Sequence, residues 1–178
     1  YGNNQNGKFY YPTKIDIDTN DNISVSDRTR IQKLNSDGVW QRNFTGQSRV
    51  RNIAVDAAGN VFAINSSGRD IYKWNSVGAS QGGVSCGVSC YGLDEYNGTL
   101  YATDEGQRPQ RIKKWSSSTM GTMGTWSISN NYPREITVNS EGIYVANLYY
   151  NQIYKYSLLG GAYISRWGSY GSGNSCLL

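Results

Sequence analysis

The sequence predicts an all-β protein in which one sheet-forming unit is copied four times. Three features carry that reading. Four segments align residue by residue along the 178-residue chain. Each alternates apolar and polar or small residues with the two-residue period of strands. Turn residues rich in Gly, Asn and Asp separate the runs, and no segment shows a helical period.

The first unit reads Pro12 to Asp18, then Asn22 to Asp27, then Arg30 to Leu34. The second reads Arg51 to Asp56, Gly59 to Asn65, and Asp70 to Trp74. The third reads Tyr91 to Tyr96, Gly98 to Asp104, and Arg111 to Trp115, with a shorter first hairpin at Asn97-Gly98. The fourth reads Pro133 to Asn139, Gly142 to Asn147, and Gln152 to Tyr156. Ile15/Ile17, Ile53/Val55 and Ile136/Val138 are expected to point toward a packed face. Asp18, Asp56 and Asn139 read as hairpin-turn residues. Trp74, Trp115 and Tyr156 share one register, which predicts packing between neighbouring sheets.

Ile31, Ile71, Ile112 and Ile153 head the third strand of each unit at steps of 40, 41 and 41 residues. A fourth, outer strand is expected at Val39–Phe44, Gly83–Ser89, Thr125–Ser129 and Ala162–Trp167. A period near 40 with four short strands per unit predicts a β-propeller of four blades. One such sheet cannot bury both faces alone, so neighbours must stack. The units run approximately over 7–44, 45–87, 88–129 and 130–169, followed by a linker-like tail at 170–178, all within a single domain 1–178. An open arc would expose two sheet faces, so closure of four blades or self-association is expected.

These phrases resemble the NHL repeat, whose pattern is Pro-x-x-Ile-x-Val-Asp, a Gly turn, Ile-Tyr-Val-x-Asp, then Arg-Ile-x-Lys-aromatic. The third unit departs most, lacking the leading Pro. Trp167 to Ser175 is similar to the NHL linker, and Tyr1 to Phe9 resembles the same linker running into a blade; on this reading whole units are present. The lack of an initiating Met suggests a processed product, a trimmed chain or a fragment. The resemblance implies that Asp27, Asn65, Asp104 and Asn147 brace the loop to the third strand, with Arg30 and Arg111 as partners. It also implies a binding module, since NHL propellers present ligands with loops at one face, and some bind RNA there.

Seventeen Lys and Arg against thirteen Asp and Glu give +4, a mild basicity without a like-charge block. No run approaches the roughly 18 apolar residues of a membrane helix. The low charge and the Asn-, Ser- and Tyr-rich composition favour an extracellular or periplasmic setting. Sequons at Asn22, Asn43, Asn65 and Asn97 are expected by chance in such a chain. Cys86 and Cys90 pair only if a turn at Gly87 folds the chain back, because residues four apart on a strand are about 13 Å apart.

The chain has no His. Ser-His-Asp and Cys-His catalysis and His-ligated zinc are therefore excluded. The amidating and streptogramin lyases similar to this family use His residues that have no counterpart here. A lyase or hydrolase built on carboxylates or calcium is the enzymatic alternative; Asp16, Asp18, Asp94 and Glu95 on the inner strands could bind calcium, the one cofactor candidate. The preferred reading is a non-catalytic binding or scaffolding module for a protein or small ligand. Its expected ligand residues are loop side chains: Arg28, Arg51, Arg69, Arg108, Arg134 and Tyr149, with Arg49 and Tyr150 nearby. The same residues support the RNA-binding alternative, arginines meeting phosphates and aromatics stacking on bases.

Overall fold

A computed structural model describes residues 5–46, 49–106, 108–128 and 132–171. Among the described residues all regular structure is β, in sixteen strands. They form four antiparallel sheets of four, each a meander whose strands pair in chain order. Sheet 1 holds β1 (Lys14–Ile17), β2 (Ile23–Ser26), β3 (Ile31–Leu34) and β4 (Trp40–Phe44). Sheet 2 holds β5 (Asn52–Val55), β6 (Val61–Ile64), β7 (Asp70–Trp74) and β8 (Ser80–Ser85). Sheet 3 holds β9 (Cys90–Tyr96), β10 (Thr99–Asp104), β11 (Gln110–Ser116) and β12 (Thr122–Ile128). Sheet 4 holds β13 (Pro133–Asn139), β14 (Gly142–Asn147), β15 (Gln152–Tyr156) and β16 (Tyr163–Trp167).

The chain divides into two compact units, Tyr1–Cys86 with sheets 1 and 2, and Gly87–Leu178 with sheets 3 and 4. In the first unit the core joins Ile31 and Phe44 of sheet 1 to Ile53, Val61, Ala63 and Trp74 of sheet 2. In the second it joins Tyr101, Ile112 and Ile128 of sheet 3 to Ile136, Val138, Ile143, Val145, Tyr154 and Tyr156 of sheet 4. Apolar burial between sheets is the driving term, at roughly 25 cal/mol per Å². Trp74, Trp115 and Tyr156 are all buried at their shared register.

Polar contacts fix the register of each sheet pair. The Asp16 carboxylate accepts the Ile17 N–H (2.8 Å) and, across the joint, the Val55 N–H (2.7 Å). Asp94 does the same for Glu95 (2.9 Å) and Val138 (2.6 Å). Buried Thr103 accepts the Gly92 N–H at 2.9 Å and donates to the Arg134 carbonyl at 2.8 Å. A Cβ on Gly92 would stand 2.5 Å from that carbonyl oxygen, so β9 and β13 approach this closely only because residue 92 has no side chain.

The turns follow the sequence. Asp18 Oδ1 accepts the N–H groups of Asn20 and Asn22, Asp56 Oδ1 those of Ala58 and Asn60, and Asn139 Oδ1 that of Glu141. The short third-unit hairpin turns at Asn97 and Gly98, both at positive φ.

Two expectations need correction. Ile15 and Ile17 are 65% and 54% exposed, because the sheet 1 core forms on its opposite face, through Ile31 and Phe44. The outer strand expected at Gly83–Ser89 is instead Ser80–Ser85. Beyond it Gly87 takes φ +123° and turns the chain, and Cys86 and Cys90 are both disulfide-bonded. Cys176 is the only other cysteine and could serve only one of them, so the bond joins Cys86 to Cys90. The remaining outer strands begin or end within a few residues of expectation. Ser129, Cys176, Tyr1 to Asn4 and the tail from 172 lie outside the described residues.

Candidate functional site

Each second strand ends in a residue that ties down the turn to the third. Asp27 Oδ1 accepts from Thr29 N (2.7 Å), Thr29 Oγ1 (2.8 Å) and Arg30 N (3.0 Å), and Arg30 Nε lies 3.7 Å from Oδ2. Asn65 Oδ1 accepts from Ser67 and Arg69, Asp104 Oδ1 from Ser89 and Gly106, and Asn147 Oδ1 from Tyr150. The expected partner of Asp104 is corrected: Lys113 Nζ, not Arg111, stands 2.8 Å from it. Arg111 pairs directly opposite Asp104 in the backbone register, and Lys113, two residues on and on the same face of β11, is the one whose ammonium reaches the carboxylate.

These turns share one edge of each sheet with the segments leading into the first strands. In the first unit that edge holds a groove of about 330 Å³ lined by Tyr11, Thr13, Asp27, Arg28, Arg49 and Val50. Tyr11 and Arg49 both have φ near +50°, at matching positions before β1 and β5. Tyr10 is pinned to the turn: its N–H donates to Asp27 Oδ2 (3.3 Å), and its carbonyl accepts the Arg28 N–H (2.9 Å). The Arg28 guanidinium stands 6.0 and 5.9 Å from the Tyr10 and Tyr11 ring centroids, a cation–π distance. Tyr11 is 65% exposed. The groove thus has two guanidinium-bearing residues, one aromatic wall, and a carboxylate whose oxygens already accept several N–H and O–H groups.

The other expected residues are placed as follows. Arg51 precedes β5 and donates from Nη2 to the Ser66 carbonyl at 3.1 Å. Exposed Arg69 lies in the β6–β7 turn, its carbonyl accepting the Cys86 N–H. Neither lines the groove that Arg28 lines. In the second unit Arg108 is exposed in the β10–β11 turn, before a cis bond to Pro109. Arg134 is held: Nη1 lies 3.4 Å from Glu105 Oε2, and its guanidinium sits 3.9 Å over the Tyr91 ring. Tyr149 stacks on Tyr132 at 5.8 Å, and Tyr150 meets it edge-on at 5.0 Å.

One feature of the second unit escaped the sequence. A groove of about 500 Å³ between sheets 3 and 4 is lined by Ser127, Ile128, Tyr154, Tyr156, Gly161, Tyr163 and Arg166. Arg166 Nη1 donates to the Tyr154 hydroxyl at 3.3 Å, and that hydrogen bond raises the pKa of Arg166. The available signal was tyrosine two residues apart on one strand, with a third directly opposite Tyr156 on the next.

The inner-strand carboxylates do not converge. Among the described residues no group of three or more Asp, Glu or Cys is placed to hold a metal ion. Asp18 instead pairs with Lys33 Nζ at 2.8 Å. Burial alone would raise its pKa, but the Lys33 ammonium, the Asn22 amide and the N–H groups of Asn22 and Asn20 together lower it to about 2. Asp16 is raised, because its burial outweighs the two N–H groups it accepts.

No protein-family model and no curated protein matches the chain. Solved structures do. It superimposes on the hydrazine synthase of Kuenenia stuttgartiensis with a TM-score of 0.76 and 11% identity, over 93% of this chain and 51% of that one. It superimposes on the WD40 repeats of RRP9 (TM-score 0.74, 14% identity, 87% and 50%) and on U3-55K (0.73, 13%, 87% and 51%). Each sheet is a propeller blade. The fold is thus an all-β propeller fold with four blades, and the likeness to these structures is one of fold. The chain spans about half the length of the propellers it matches.

Proposed function

We propose that this protein is a non-catalytic binding module of the NHL type, whose ligand seats at the blade edge carrying the turns between second and third strands. The observation behind this reading is the first-unit groove, where Arg28 and Arg49 flank exposed Tyr11. Guanidinium groups form strong, geometrically defined hydrogen bonds with carboxylates and phosphates. An adjoining tyrosine adds an apolar, stackable surface. The chemistry fits an acidic peptide segment carrying an aromatic or planar group. Arg51 and Arg69 extend the cationic edge of that unit, and Arg108, Arg134 and Tyr149 occupy the matching edge in the other. Aspartate or asparagine at the end of every second strand supports the NHL assignment, and with it a single working domain over 1–178. The Cys86–Cys90 disulfide supports an oxidising compartment, extracellular or periplasmic.

The test is fluorescence anisotropy with a labelled Glu-rich peptide bearing one central Trp. Saturable binding is expected, weakened at least about tenfold in the Arg28→Ala/Arg49→Ala variant, as loss of charged hydrogen bonds worth roughly 1.5–3 kcal/mol each requires. Binding that is absent, or unchanged in that variant, rejects the site. RNA binding is the second reading, favoured by the Tyr132–Tyr149 stack with Tyr150 beside it. It predicts salt-sensitive retention of poly-U that is lost in Tyr149→Ala.

A further inference from the structure

The groove between sheets 3 and 4 is lined by none of the residues assigned above to ligand binding. It is built from tyrosine rings around one guanidinium. Tyr154 and Tyr156 stand two apart on β15 and so share a face. Their rings lie within 14° of parallel, with centroids 6.3 Å apart. Tyr163 pairs with Tyr156 across the β15–β16 ladder, and its ring turns across both, at 73° to Tyr156 and 60° to Tyr154. Buried Ile128 adds apolar surface. The β15–β16 turn is seated on sheet 3: Gly161 takes φ +68°, and a Cβ there would collide with the Trp126 ring. The walls are thus held by packing before any ligand arrives, which lowers the ordering cost of binding.

The polar lining is one-sided. Arg166 is exposed, sits opposite Tyr154 in the register, and donates one N–H to the Tyr154 hydroxyl. That hydroxyl is already satisfied, since it donates in turn to Gln152 Oε1 at 3.2 Å. The rest of the Arg166 fork has no hydrogen-bond or ion-pair partner among the described residues, and no carboxylate lines the groove. Elsewhere in this unit cations are matched, Arg134 by Glu105 and Lys113 by Asp104. Ser127 and Tyr163 bring hydroxyls that no described side chain engages. One guanidinium balances one negative charge, and its planar fork matches a carboxylate. A phosphate dianion would exceed that charge. A neutral sugar would leave the cation unused. An aromatic acid would set an apolar ring against the two open hydroxyls, whereas a hydroxylated ring satisfies them. The volume of about 500 Å³ is that of a small-molecule site.

We propose that this groove binds a uronic acid, a sugar ring bearing one carboxylate, either free or as a unit of an acidic polysaccharide. Arg166 takes the carboxylate through its open N–H groups. The tyrosine rings cover the C–H surface of the sugar, an apolar body with a polar rim. Ser127 and Tyr163 exchange hydrogen bonds with the sugar hydroxyls. The site lies in the second unit and does not rest on the Arg28 groove, so either can fail alone.

The experiment follows amide and arginine N–H resonances of the isotope-labelled full chain during titration with sodium glucuronate, a glucuronate-containing oligosaccharide, glucose, acetate and uridine monophosphate. Saturable shifts are expected at Ser127, Ile128, residues 161–167 and the Arg166 Nε–H with glucuronate or the oligosaccharide. Whichever of these two saturates at the lower concentration tells free sugar from polysaccharide. Arg166→Met should weaken binding at least about tenfold, and Tyr163→Ala several-fold. Both positions are exposed, so both variants should keep the wild-type far-UV circular dichroism spectrum. The Arg28→Ala/Arg49→Ala variant should bind as the wild type does. No response to glucuronate or the oligosaccharide overturns the proposal, as does binding unchanged in Arg166→Met or lost in Arg28→Ala/Arg49→Ala. An equal response to glucose or acetate overturns it too, because the carboxylate or the ring would then be irrelevant. Tighter binding of uridine monophosphate than of glucuronate overturns it in favour of a nucleotide site.

Discussion

Replacing Asp18 with asparagine tests how the first blade's hairpin is held. The carboxylate accepts from Asn20 N (2.9 Å), Asn22 N (3.0 Å), Asn22 Nδ2 (3.0 Å to each oxygen) and Lys33 Nζ (2.8 Å), with the side chain almost fully buried. Its pKa falls from 3.8 to about 2. At 1.36 kcal/mol per unit, that depression corresponds to about 2 kcal/mol favouring the fold. The folded value lies below the unfolded one, so this stabilisation is fully present above about pH 4. It disappears as pH falls through 3.8 toward 2. Asp16 runs the other way: its pKa is raised by burial, so acid favours its folded form, and it contributes equally to wild type and variant. Asp18→Asn also leaves Lys33 buried without its anion, and breaking such a pair costs about 3–5 kcal/mol in the least favourable cases. The expected loss at pH 7 is about 3 kcal/mol by urea denaturation, narrowing by about 2 kcal/mol by pH 2. The Asp18→Asn/Lys33→Met double variant should lose less than the two single variants together. A wild-type-to-variant difference that stays constant from pH 7 to pH 2 would refute the reasoning.

Gly92→Ala should destabilise the second unit by about 1–3 kcal/mol or more, because the new Cβ meets backbone at 2.5 Å that has no room to yield; denaturant midpoints of the wild type and the variant decide it. Trp74→Ala should cost about 3–5 kcal/mol, since the ring is buried against Phe44 and its indole N–H bonds the Thr45 carbonyl. A loss below about 1 kcal/mol would mean the sheet 1–sheet 2 core is not formed as described.

Much of the architecture was legible because it is written as repetition. Ile31, Ile71 and Ile112 recur at one spacing and lie fully buried at one register, and Asp27, Asn65, Asp104 and Asn147 all brace their turns. What repetition hides is how far each copy is covered by its neighbours. Ile15 reads like Ile53, and Ile153 like Ile112, yet their exposure differs because burial depends on the neighbouring sheet, which a local pattern does not encode. The switch of Asp104's partner from Arg111 to Lys113 is hidden for a different reason: both cations share the face of Asp104, and the repeat pattern does not say which of the two reaches it. The candidate site was half legible. Its arginines announce themselves as loop cations. The junction of Arg28 with Tyr11 and Arg49 needs residues 10–13 and 49–50 to arrive beside the β2–β3 turn, and those contacts are non-local. The Tyr154–Tyr163–Arg166 groove was missed because tyrosines at strand register read first as packing residues.

Nuclear Overhauser contacts between side chains test the central claim, that repeated four-stranded sheets pack face to face in matched register. Cross-peaks are predicted between the Phe44 and Trp74 rings, whose centroids lie 6.3 Å apart, and between the Tyr154 and Tyr163 rings, 6.1 Å apart across the β15–β16 pair. Strand-type chemical shifts should accompany them at Val61–Ile64 and Gly142–Asn147. Helical shifts in those segments, or a folded spectrum with no Phe44–Trp74 contact, would contradict the account.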